Sequence, residues 1–373
     1  MKVTICGAGN TGHLYTGLMS GYPGVEVSLF TRKAQKVREG LNSSCGIAVK
    51  HPDGSTSRGR PLIISDDARE AVHDADVVIL TEPAHVRGAI LKQIAAHLPR
   101  SKPVYVGAIP GFCGFDLNAA DALRDEGNVI IWGMKDVPYM AYAPVPGVSS
   151  VMGGPKSILY VALHDQHSER ERTSCISALQ QLFPAEIRPL NTYRHITLTP
   201  GNPIMHPSIL YGLIGPYSQW DGRGFDRQLP WWSEAGELGT YFMTRCDQEM
   251  AELRAAYGLR GVDLSDVDGI HAEIVAAYGD QITDPRTLLS TLRTNKAYAS
   301  ALIPMQRTAD GWFVDTKSRA FLEDVPHGLS LLVGIGKALE VQTPMMSEIE
   351  SWALGMMEQD DRHGPNYVEQ LVA

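Results

Sequence analysis

Short apolar runs alternate with helical stretches through the first half of the chain, and several of the runs are rich in β-branched residues. Such runs are typical of strands buried on both faces of a parallel sheet. The pattern predicts strands at 2–6, 25–30, 75–80, 104–107, 129–132, 157–164 and 187–190. It predicts helices at 13–20, 67–73, 86–98 and 170–182, and a β-rich excursion within 44–65. This alternation predicts an α/β domain with a doubly wound parallel sheet.

The pattern changes after the last of these strands. Apolar residues then recur near the helical period, most clearly in a long helix predicted at 234–257. Shorter helices are predicted at 267–278, 285–293, 329–339 and 347–357. We therefore expect an α/β domain at 1–188 followed by a mainly α-helical domain at 189–373. A chain of 373 residues is long enough to form two such cores.

A complete G-x-G-x-x-G motif connects the first predicted strand to the first helix. Strand, glycine turn and helix in this order form the dinucleotide-binding fingerprint of a Rossmann domain. Gly7 would permit the tight turn, Gly9 the approach of a pyrophosphate, and Gly12 the packing of helix against strand. Free N–H groups at the start of the helix, around Asn10 and Thr11, would bind the phosphates. The motif predicts nucleotide binding in preference to a simple glycine turn.

The end of the second predicted strand indicates which dinucleotide the domain prefers. An NAD site usually has an acidic residue here, about 20 positions beyond the glycines, to hold the ribose 2′-hydroxyl. This chain has Thr31 and then a basic cluster of Arg32, Lys33 and Lys36. Because a guanidinium offers a planar fork of donors to a phosphate, the cluster favours NADPH, with NADH as the substitute. The alternative interpretation is a solvated helix start with ordinary surface lysines.

A second strand end adds candidates for the same site. The buried strand at 75–80 ends in a turn that contains Glu82 and Pro83. Loops at the carboxyl ends of parallel strands line the cofactor crevice. We therefore expect both residues to lie near the ribose or the nicotinamide.

Charge and cysteine usage exclude several classes of protein. The formal net charge is −9 and no long basic run is present, which argues against nucleic acid as the main partner. Five scattered cysteines form no C-x-x-C, so we expect no disulfide framework and no metal site, in a reducing cytoplasm. No apolar run approaches the length of a membrane span, and a strand beginning at residue 2 leaves no room for a signal peptide. The expected partners are small molecules.

Two segments of the helical half contain residues that are unusual for packing alone. In 201–208, a glycine and two prolines surround His206 and restrain its backbone. A restrained imidazole suits general acid/base work because its ordinary pKa lies near neutrality, although a capped histidine at a helix start remains the alternative. In 319–329, Asp324 stands just before a proline that opens an apolar helix, a usual place for a capping carboxylate. If Asp324 contacts His206, it could have a catalytic role instead, because a catalytic histidine needs a partner that stabilises its charged form.

Together these segments resemble a known enzyme family. The N-P-x-x-H-P segment at 202–207 and the E-D-V-P segment at 323–326, behind the N-terminal glycine motif, are similar to motifs of the opine dehydrogenases, the octopine/nopaline dehydrogenase family. The resemblance extends over nearly the whole chain. It implies reductive condensation, in which an amino acid and a 2-oxo acid form an imine that NAD(P)H reduces to a secondary amine. It also implies that His206 is the catalytic acid/base and Asp324 its partner.

The resemblance carries some finer expectations. The segment 205–211 is also similar to the branch that makes opine metallophores such as staphylopine and pseudopaline. The substrate carboxylates need donors, for which the candidates are Arg319, Asn202, Tyr211 and Arg223. Three tryptophans follow the histidine motif and would either line a substrate pocket or belong to the core, namely Trp220, Trp231 and Trp232.

Two other functions remain open. A two-domain NADP-dependent 2-oxo acid reductase of the ketopantoate-reductase type would share this plan, but it would need no amine co-substrate. A non-catalytic NADP-sensing protein would keep the glycine motif without needing a restrained His206 beside Asp324. We also expect a homodimer, in which four methionines of the last helical region would serve an interface or fill a core, namely Met345, Met346, Met356 and Met357.

Overall fold

The computed structural model describes residues 1–357, 364 and 366–372. The chain divides into two compact units, Met1–Ile196 and Thr197–Ala373. The predicted boundary, between 188 and 189, precedes this division, because the chain just beyond 189 is still tied to the first unit. There the Leu190 N–H donates to the carbonyl oxygen of Val161 at 2.8 Å.

The first unit contains twelve strands in two sheets. The strands are β1 (Lys2–Cys6), β2 (Glu26–Phe30), β3 (Ile47–Lys50), β4 (Thr56–Gly59), β5 (Ile63–Ser65), β6 (Val77–Leu80), β7 (Val104–Ala108), β8 (Val129–Met134), β9 (Met140–Val145), β10 (Ser149–Gly153), β11 (Ile158–Leu163) and β12 (Glu186–Pro189). Eight of them form the main sheet in the order β12-β11-β8-β7-β6-β1-β2-β5. Six neighbouring strands of this sheet are parallel, as predicted, namely β8, β7, β6, β1, β2 and β5. The next strand, β11, runs antiparallel to β8.

Helices connect the strands and cover both faces of the main sheet. They are α1 (Asn10–Met19), α2 (Ala34–Asn42), α3 (Ala68–Val72), α4 (Ala84–Ala95), α5 (Phe115–Ala122), α6 (Glu169–Gln180) and α7 (Arg194–Thr197). Alternate residues of β1 supply two cores: Val3 and Ile5 pack with Leu14 of α1, whereas Cys6 packs with Leu91 of α4. This two-sided burial explains why the parallel strands are almost continuously apolar.

The smaller sheet of this unit has the order β4-β3-β10-β9. A Cβ at Gly17 of α1 would come within 2.6 Å of the Ile47 side chain on β3, so the missing side chain lets this helix lie directly against the sheet. On the same helix, Nε2 of the buried His13 accepts a hydrogen bond from the Gly147 N–H at 2.9 Å. These contacts hold α1, and with it the glycine turn, between the two sheets.

The second unit is mainly helical within the described residues, as predicted. Its helices are α8 (Asn202–Ile214), α9 (Glu237–Leu259), α10 (Ile270–Tyr278), α11 (Leu288–Thr294), α12 (Arg319–Leu322), α13 (Ser330–Leu339), α14 (Pro344–Met356) and α15 (Val368–Val372). Short 3-10 turns lie at Gly279–Gln281 and Lys296–Tyr298, a π-helical turn lies at Asp324–Leu329, and a hairpin is formed by β13 (Met305–Thr308) and β14 (Gly311–Val314).

Two glycines bring α8 and α9 into close contact. A Cβ at Gly212 of α8 would come within 2.5 Å of the Gly239 Cα on α9, so the two backbones touch where both side chains are absent. α8 is buried over most of its length, including Ile204, Ile209 and Leu210. Burial on nearly all sides explains why its sequence shows no clear polar face.

Several elements were not predicted. The predicted elements did not include the hairpins β9–β10 and β13–β14 or the helices α2, α5, α7, α8, α12 and α15. β9 ends in Pro144-Val145, and prolines argue against a strand except at an edge, which is where β9 lies in the small sheet. Among the described residues, the structure has no helix with the length and apolarity needed to cross a membrane.

Candidate active site

The turn after β1 depends on a glycine. Gly7 has a φ of +103°, a conformation that other residues adopt only with strain. A side chain at this position would also come within 2.7 Å of the Thr81 hydroxyl oxygen at the end of β6. The Gly7 N–H donates to the carbonyl oxygen of Phe30 at 2.9 Å, which ties the turn to the end of β2.

The start of α1 is open where a phosphate group would bind. Gly9 precedes the helix without a side-chain cap, and a Cβ there would meet no atom within 4 Å. By contrast, a Cβ at Gly12 would overlap the carbonyl oxygen of Gly7. Asn10 is exposed and Thr11 is partly exposed on the first turn. Open space beside an uncapped helix N-terminus fits the pyrophosphate of a dinucleotide.

The basic cluster lies at the end of β2, on the strand next to β1. Thr31 is buried, and its hydroxyl oxygen accepts a hydrogen bond from the Lys33 N–H at 3.2 Å. Arg32, Lys33 and Lys36 are exposed. They are therefore available to an anionic ligand.

Glu82 and Pro83 follow β6 on the other side of β1. Pro83 immediately precedes α4, while the Glu82 carboxyl carbon lies 3.0 Å from the position of a Cβ on Gly7. Burial raises the pKa of Glu82 to about 7, although backbone hydrogen bonds from Glu82 and Thr81 and the positive charges of Arg87 and Arg32 act in the opposite direction. One of its oxygens, Oε2, is buried and has no hydrogen-bond partner in the described part of the chain.

Arg87 organises the loops around this site and was not predicted from the sequence. Its guanidinium is buried and donates to the carbonyl oxygens of Glu82 at 2.9 Å, Pro110 at 3.0 Å and Phe112 at 3.2 Å. It therefore joins the loop after β6 to the loop after β7. The available indication was a single arginine on the otherwise apolar face of a helix that follows a buried strand.

His206 projects from the second turn of α8. Proline occupies the second position of the helix at Pro203, and a second proline, Pro207, directly follows the histidine. A proline early in a helix costs little because the first N–H groups have no partner, whereas Pro207 removes one internal donor. The prolines therefore restrain the helical turn that carries His206.

The π-helical turn places Asp324 against His206. The two residues are 118 positions apart, and Asp324 Oδ2 lies 2.8 Å from Nδ1 of His206. Asp324 is fully buried, and burial raises the pKa of its carboxyl, while the hydrogen bond with His206 lowers it. Its second oxygen, Oδ1, has no partner among the described residues. The structure therefore contains the contact between His206 and Asp324, which the sequence spacing alone could not establish.

Two tryptophans support the imidazole. The His206 ring stacks on Trp231, with centroids 4.2 Å apart, and lies 5.6 Å from the ring of Trp232. Both tryptophans are buried and belong to the core around the histidine. Trp220 lies elsewhere in the unit, where its ring stacks on Phe225.

The predicted substrate-binding residues occupy different environments. Arg319 precedes the π-helical turn, and its Nε lies 3.2 Å from a carboxyl oxygen of Glu323, the neighbour of Asp324. Asn202 is the first residue of α8 and is partly exposed. Tyr211 is buried, and its hydroxyl donates to Glu348 at 2.6 Å within an aromatic cluster. The remaining candidate, Arg223, is exposed and pairs with Asp221.

No group of acidic, histidine and cysteine side chains suited to a metal ion occurs among the residues that the structure describes. The second unit contains a histidine–aspartate pair in which Asp324 is fully buried and His206 is partly buried, and the first unit contains a dinucleotide fingerprint. This combination is characteristic of a nicotinamide-dependent oxidoreductase in which a protein acid/base assists hydride transfer.

Comparison with known proteins identifies the family. Residues 189–357 match the model of the NAD/NADP octopine/nopaline dehydrogenase α-helical domain, and residues 3–106 match that of ketopantoate reductase PanE/ApbA. An octopine dehydrogenase of Mizuhopecten yessoensis is 28% identical over 95% of this chain and 89% of its own length. An uncharacterised protein of Sinorhizobium fredii is 43% identical over 99% of this chain and 98% of its own.

Solved structures agree with this relationship. A structure of octopine dehydrogenase with NADH and L-arginine superposes with a TM-score of 0.80, at 26% identity, over 96% of this chain and 89% of the other. The chain belongs to the opine dehydrogenase family and is an NAD(P)-dependent oxidoreductase.

Proposed function

We propose that the protein is an NADP(H)-dependent opine dehydrogenase, which condenses an amino acid or related amine with a 2-oxo acid and reduces the resulting imine. The observation that carries the proposal is the hydrogen bond of 2.8 Å between His206 and the buried Asp324. A histidine held in this way is expected in an enzyme that moves protons, whereas a protein that only senses a nucleotide has no use for it.

The residues of the first unit fit a nicotinamide dinucleotide. The glycine turn and the uncapped first turn of α1, including Asn10 and Thr11, would hold the pyrophosphate. Arg32, assisted by Lys33 and Lys36, would hold the 2′-phosphate of NADPH, with Thr31 fixing the start of the basic segment. Glu82 and Pro83 would contact the ribose. When bound, the reduced cofactor supplies the hydride.

His206 would supply the proton that the imine needs. Because Nδ1 faces Asp324, Nε2 is the ring nitrogen left for the substrate. Proton donation from Nε2 to the imine nitrogen makes the imine carbon a good hydride acceptor, and the product is a secondary amine. The Asp324 carboxylate would stabilise the imidazolium before this transfer.

Substrate carboxylates would be bound near this pair by Arg319 and Asn202. Arg319 lies one helical turn from Asp324 and carries a fork of donors suited to a carboxylate. Asn202 begins the helix that carries His206 and offers an amide donor. Tyr211 was the third candidate, but its hydroxyl already donates to Glu348, so we propose a packing role for it.

The function is tested by following NADPH oxidation with a panel of amino acids crossed against pyruvate, 2-oxoglutarate and glyoxylate. Turnover that requires both an amine and an oxo acid, and that is lost in His206→Ala, would support the opine reaction. The octopine dehydrogenase structures contain NADH together with L-arginine, agmatine or pyruvate, which makes these compounds the first to include.

A ketopantoate-type reductase is the second candidate, because residues 3–106 match that family and a ketopantoate reductase superposes with a TM-score of 0.61. Turnover with an oxo acid alone would favour it. Binding of NADPH without turnover on any pair would favour a sensor. A metallophore product would require an amine outside this panel. We also propose that the protein is a homodimer and is located in the cytoplasm.

A further inference from the structure

Three neighbouring strand ends bring a cation, a glycine and a carboxyl group together. β1 lies between β2 and β6, so that Gly7, Arg32 and Glu82, which follow these strands, share one edge of the sheet. Gly7 and Arg32 suit a phosphorylated dinucleotide. Glu82 does not, because a carboxylate would repel the 2′-phosphate that Arg32 attracts. The acid therefore needs an explanation of its own.

The Glu82 carboxyl is packed against the glycine turn. Its Oε1 lies 3.2 Å from the position of a Cβ on Gly7, and its buried Oε2 has no hydrogen-bond partner in the described part of the chain. The charged groups that act on it are Arg32 after β2 and Arg87 on α4, and the backbone of Glu82 and Thr81 donates hydrogen bonds to the carboxyl. The neutral Cys6 thiol at the end of β1 lies close enough for the charge of Glu82 to raise its pKa. An acceptor oxygen without a partner beside a nucleotide-binding turn is suited to a hydroxyl of the ligand.

The two forms of this carboxyl suit different dinucleotides. An ionised carboxylate accepts hydrogen bonds from ribose hydroxyls, as acidic residues do in NAD sites, and repels a phosphate group. A neutral carboxyl removes the repulsion and leaves Arg32 to bind the phosphate. We propose that Glu82 determines coenzyme selection, favouring NADP(H) when it is protonated and NAD(H) when it is ionised.

The direction of the pH effect follows from the position of this group. Burial raises the pKa of Glu82 to about 7, so the carboxyl is mostly neutral below that pH and mostly ionised above it. A neighbouring 2′-phosphate would raise this pKa further, and each unit corresponds to about a tenfold change in affinity. The affinity for NADPH should therefore fall as the pH rises above about 7. The phosphate itself ionises near pH 6, which acts in the opposite direction by strengthening its contact with Arg32.

The inference rests on the proposed function, because it requires that the glycine turn binds a nicotinamide dinucleotide. The test measures Kd for NADPH and for NADH with the full chain, by nucleotide fluorescence, between about pH 6 and pH 8.5. We expect Kd for NADPH to rise about tenfold over this range, while Kd for NADH stays constant or falls. In Glu82→Gln, the rise should disappear and NADPH should bind more tightly than to the wild type at the upper pH.

Glu26→Gln is the matched control, because Glu26 lies at the opposite end of β2 and is exposed. It should keep the pH dependence of the wild type. Equal pH dependence of NADPH binding in the wild type and Glu82→Gln would overturn the inference and leave the proposed function intact. Failure of both nucleotides to bind would overturn both.

A second measurement needs no variant. Calorimetric titration of the wild type in two buffers of different ionisation enthalpy gives the number of protons taken up on binding. Just above neutral pH, NADPH binding should take up protons and NADH binding should not, because only the phosphate raises the pKa of Glu82. Equal proton uptake for the two nucleotides would contradict the inference even if Glu82→Gln fails to fold.

Discussion

At the scale of single residues, the contact between His206 and Asp324 is the feature that favours a proton-transfer role for His206 over a packing role. Asp324→Asn keeps the shape of the side chain but removes the charge that would stabilise the imidazolium. We expect kcat to fall by about 10²- to 10⁴-fold with a smaller change in KM, measured by steady-state kinetics.

The control for this variant is His271→Ala in the same unit. His271 lies on α10, where its Nε2 is 3.0 Å from the carbonyl oxygen of Pro285, which can only accept, and 2.9 Å from the Thr291 hydroxyl oxygen. It should change kcat little. A loss of less than about threefold in Asp324→Asn would contradict an essential role for the carboxylate.

Arg32 is the residue on which the preference for NADPH rests. Arg32→Glu replaces an exposed donor at the end of β2 with a charge that repels the 2′-phosphate. We expect KM for NADPH to rise by at least about tenfold, and KM for NADH to change much less, in parallel assays. Equal effects on the two coenzymes would exclude a phosphate-binding role.

We expect the buried His13 to make the first unit less stable at acid pH. Burial lowers its pKa to about 4, whereas an unfolded histidine titrates near 6.5. As the pH falls from about 6.5 to 4, the unfolded chain binds a proton that the folded chain does not bind. The free energy of unfolding should therefore fall over this range, by up to about 3 kcal/mol.

Urea unfolding at several pH values measures this effect. His13→Gln offers the Gly147 N–H a neutral acceptor that does not titrate, so part of the acid dependence should disappear. If the wild type and His13→Gln lose stability in parallel below about pH 6.5, His13 is not the group responsible.

At the scale of elements, the glycine turn and α1 form the unit that recognises the dinucleotide. Gly9→Ala adds a methyl group into open space, so the fold should keep its Tm while Kd for NADPH rises about tenfold or more. Gly12→Ala adds the same group against the carbonyl oxygen of Gly7, so it should lower Tm as well. Thermal unfolding and fluorescence titration of both variants separate the two roles, and the same Tm for both would contradict this assignment.

The sequence predicted those elements whose pattern is local. The strands around β1 and the long α9 follow from apolar runs and helical spacing, and their bounds lie within a few residues of the prediction. β9 and β10 were missed because a proline lies within β9 and a glycine ends β10, and because β10 pairs with β3, which is about a hundred positions away in the chain. Local pattern does not contain that information.

In the candidate site, too, the parts formed by contiguous residues could be predicted, and the contacts between distant residues could not. The glycine turn is contiguous, so its residues and their geometry could be read together. His206 and Asp324 lie 118 positions apart, and only a family resemblance suggested that they meet. The stacking of Trp231 on His206 depends on tertiary packing and had no local pattern. For Arg87 the sequence showed a lone arginine on an apolar helix face, but the two loops that it joins depend on tertiary packing.

At the scale of the whole molecule, the division at Ile196 predicts where cofactor binding should stabilise the chain. A ligand that binds only the folded state stabilises it by about 2.7 kcal/mol at a hundred times its Kd. NADPH should therefore slow hydrogen exchange in β1 and at the start of α1, measured by mass spectrometry on the full chain. Unchanged exchange in these two elements at saturating NADPH would contradict binding at the glycine turn.

The π-helical turn at Asp324–Leu329 also makes the site depend on the number of residues in this segment. Such a turn contains one residue more than an α-helical turn, and each residue in a helix rotates the next side chain by about 100°. Deletion of one codon here would allow a regular α-helix and rotate Asp324 away from His206, although both residues would still be encoded. The exposed turn at 52–55, between β3 and β4, would accept an inserted codon. The site is therefore encoded by the number of residues in this segment as well as by their identity.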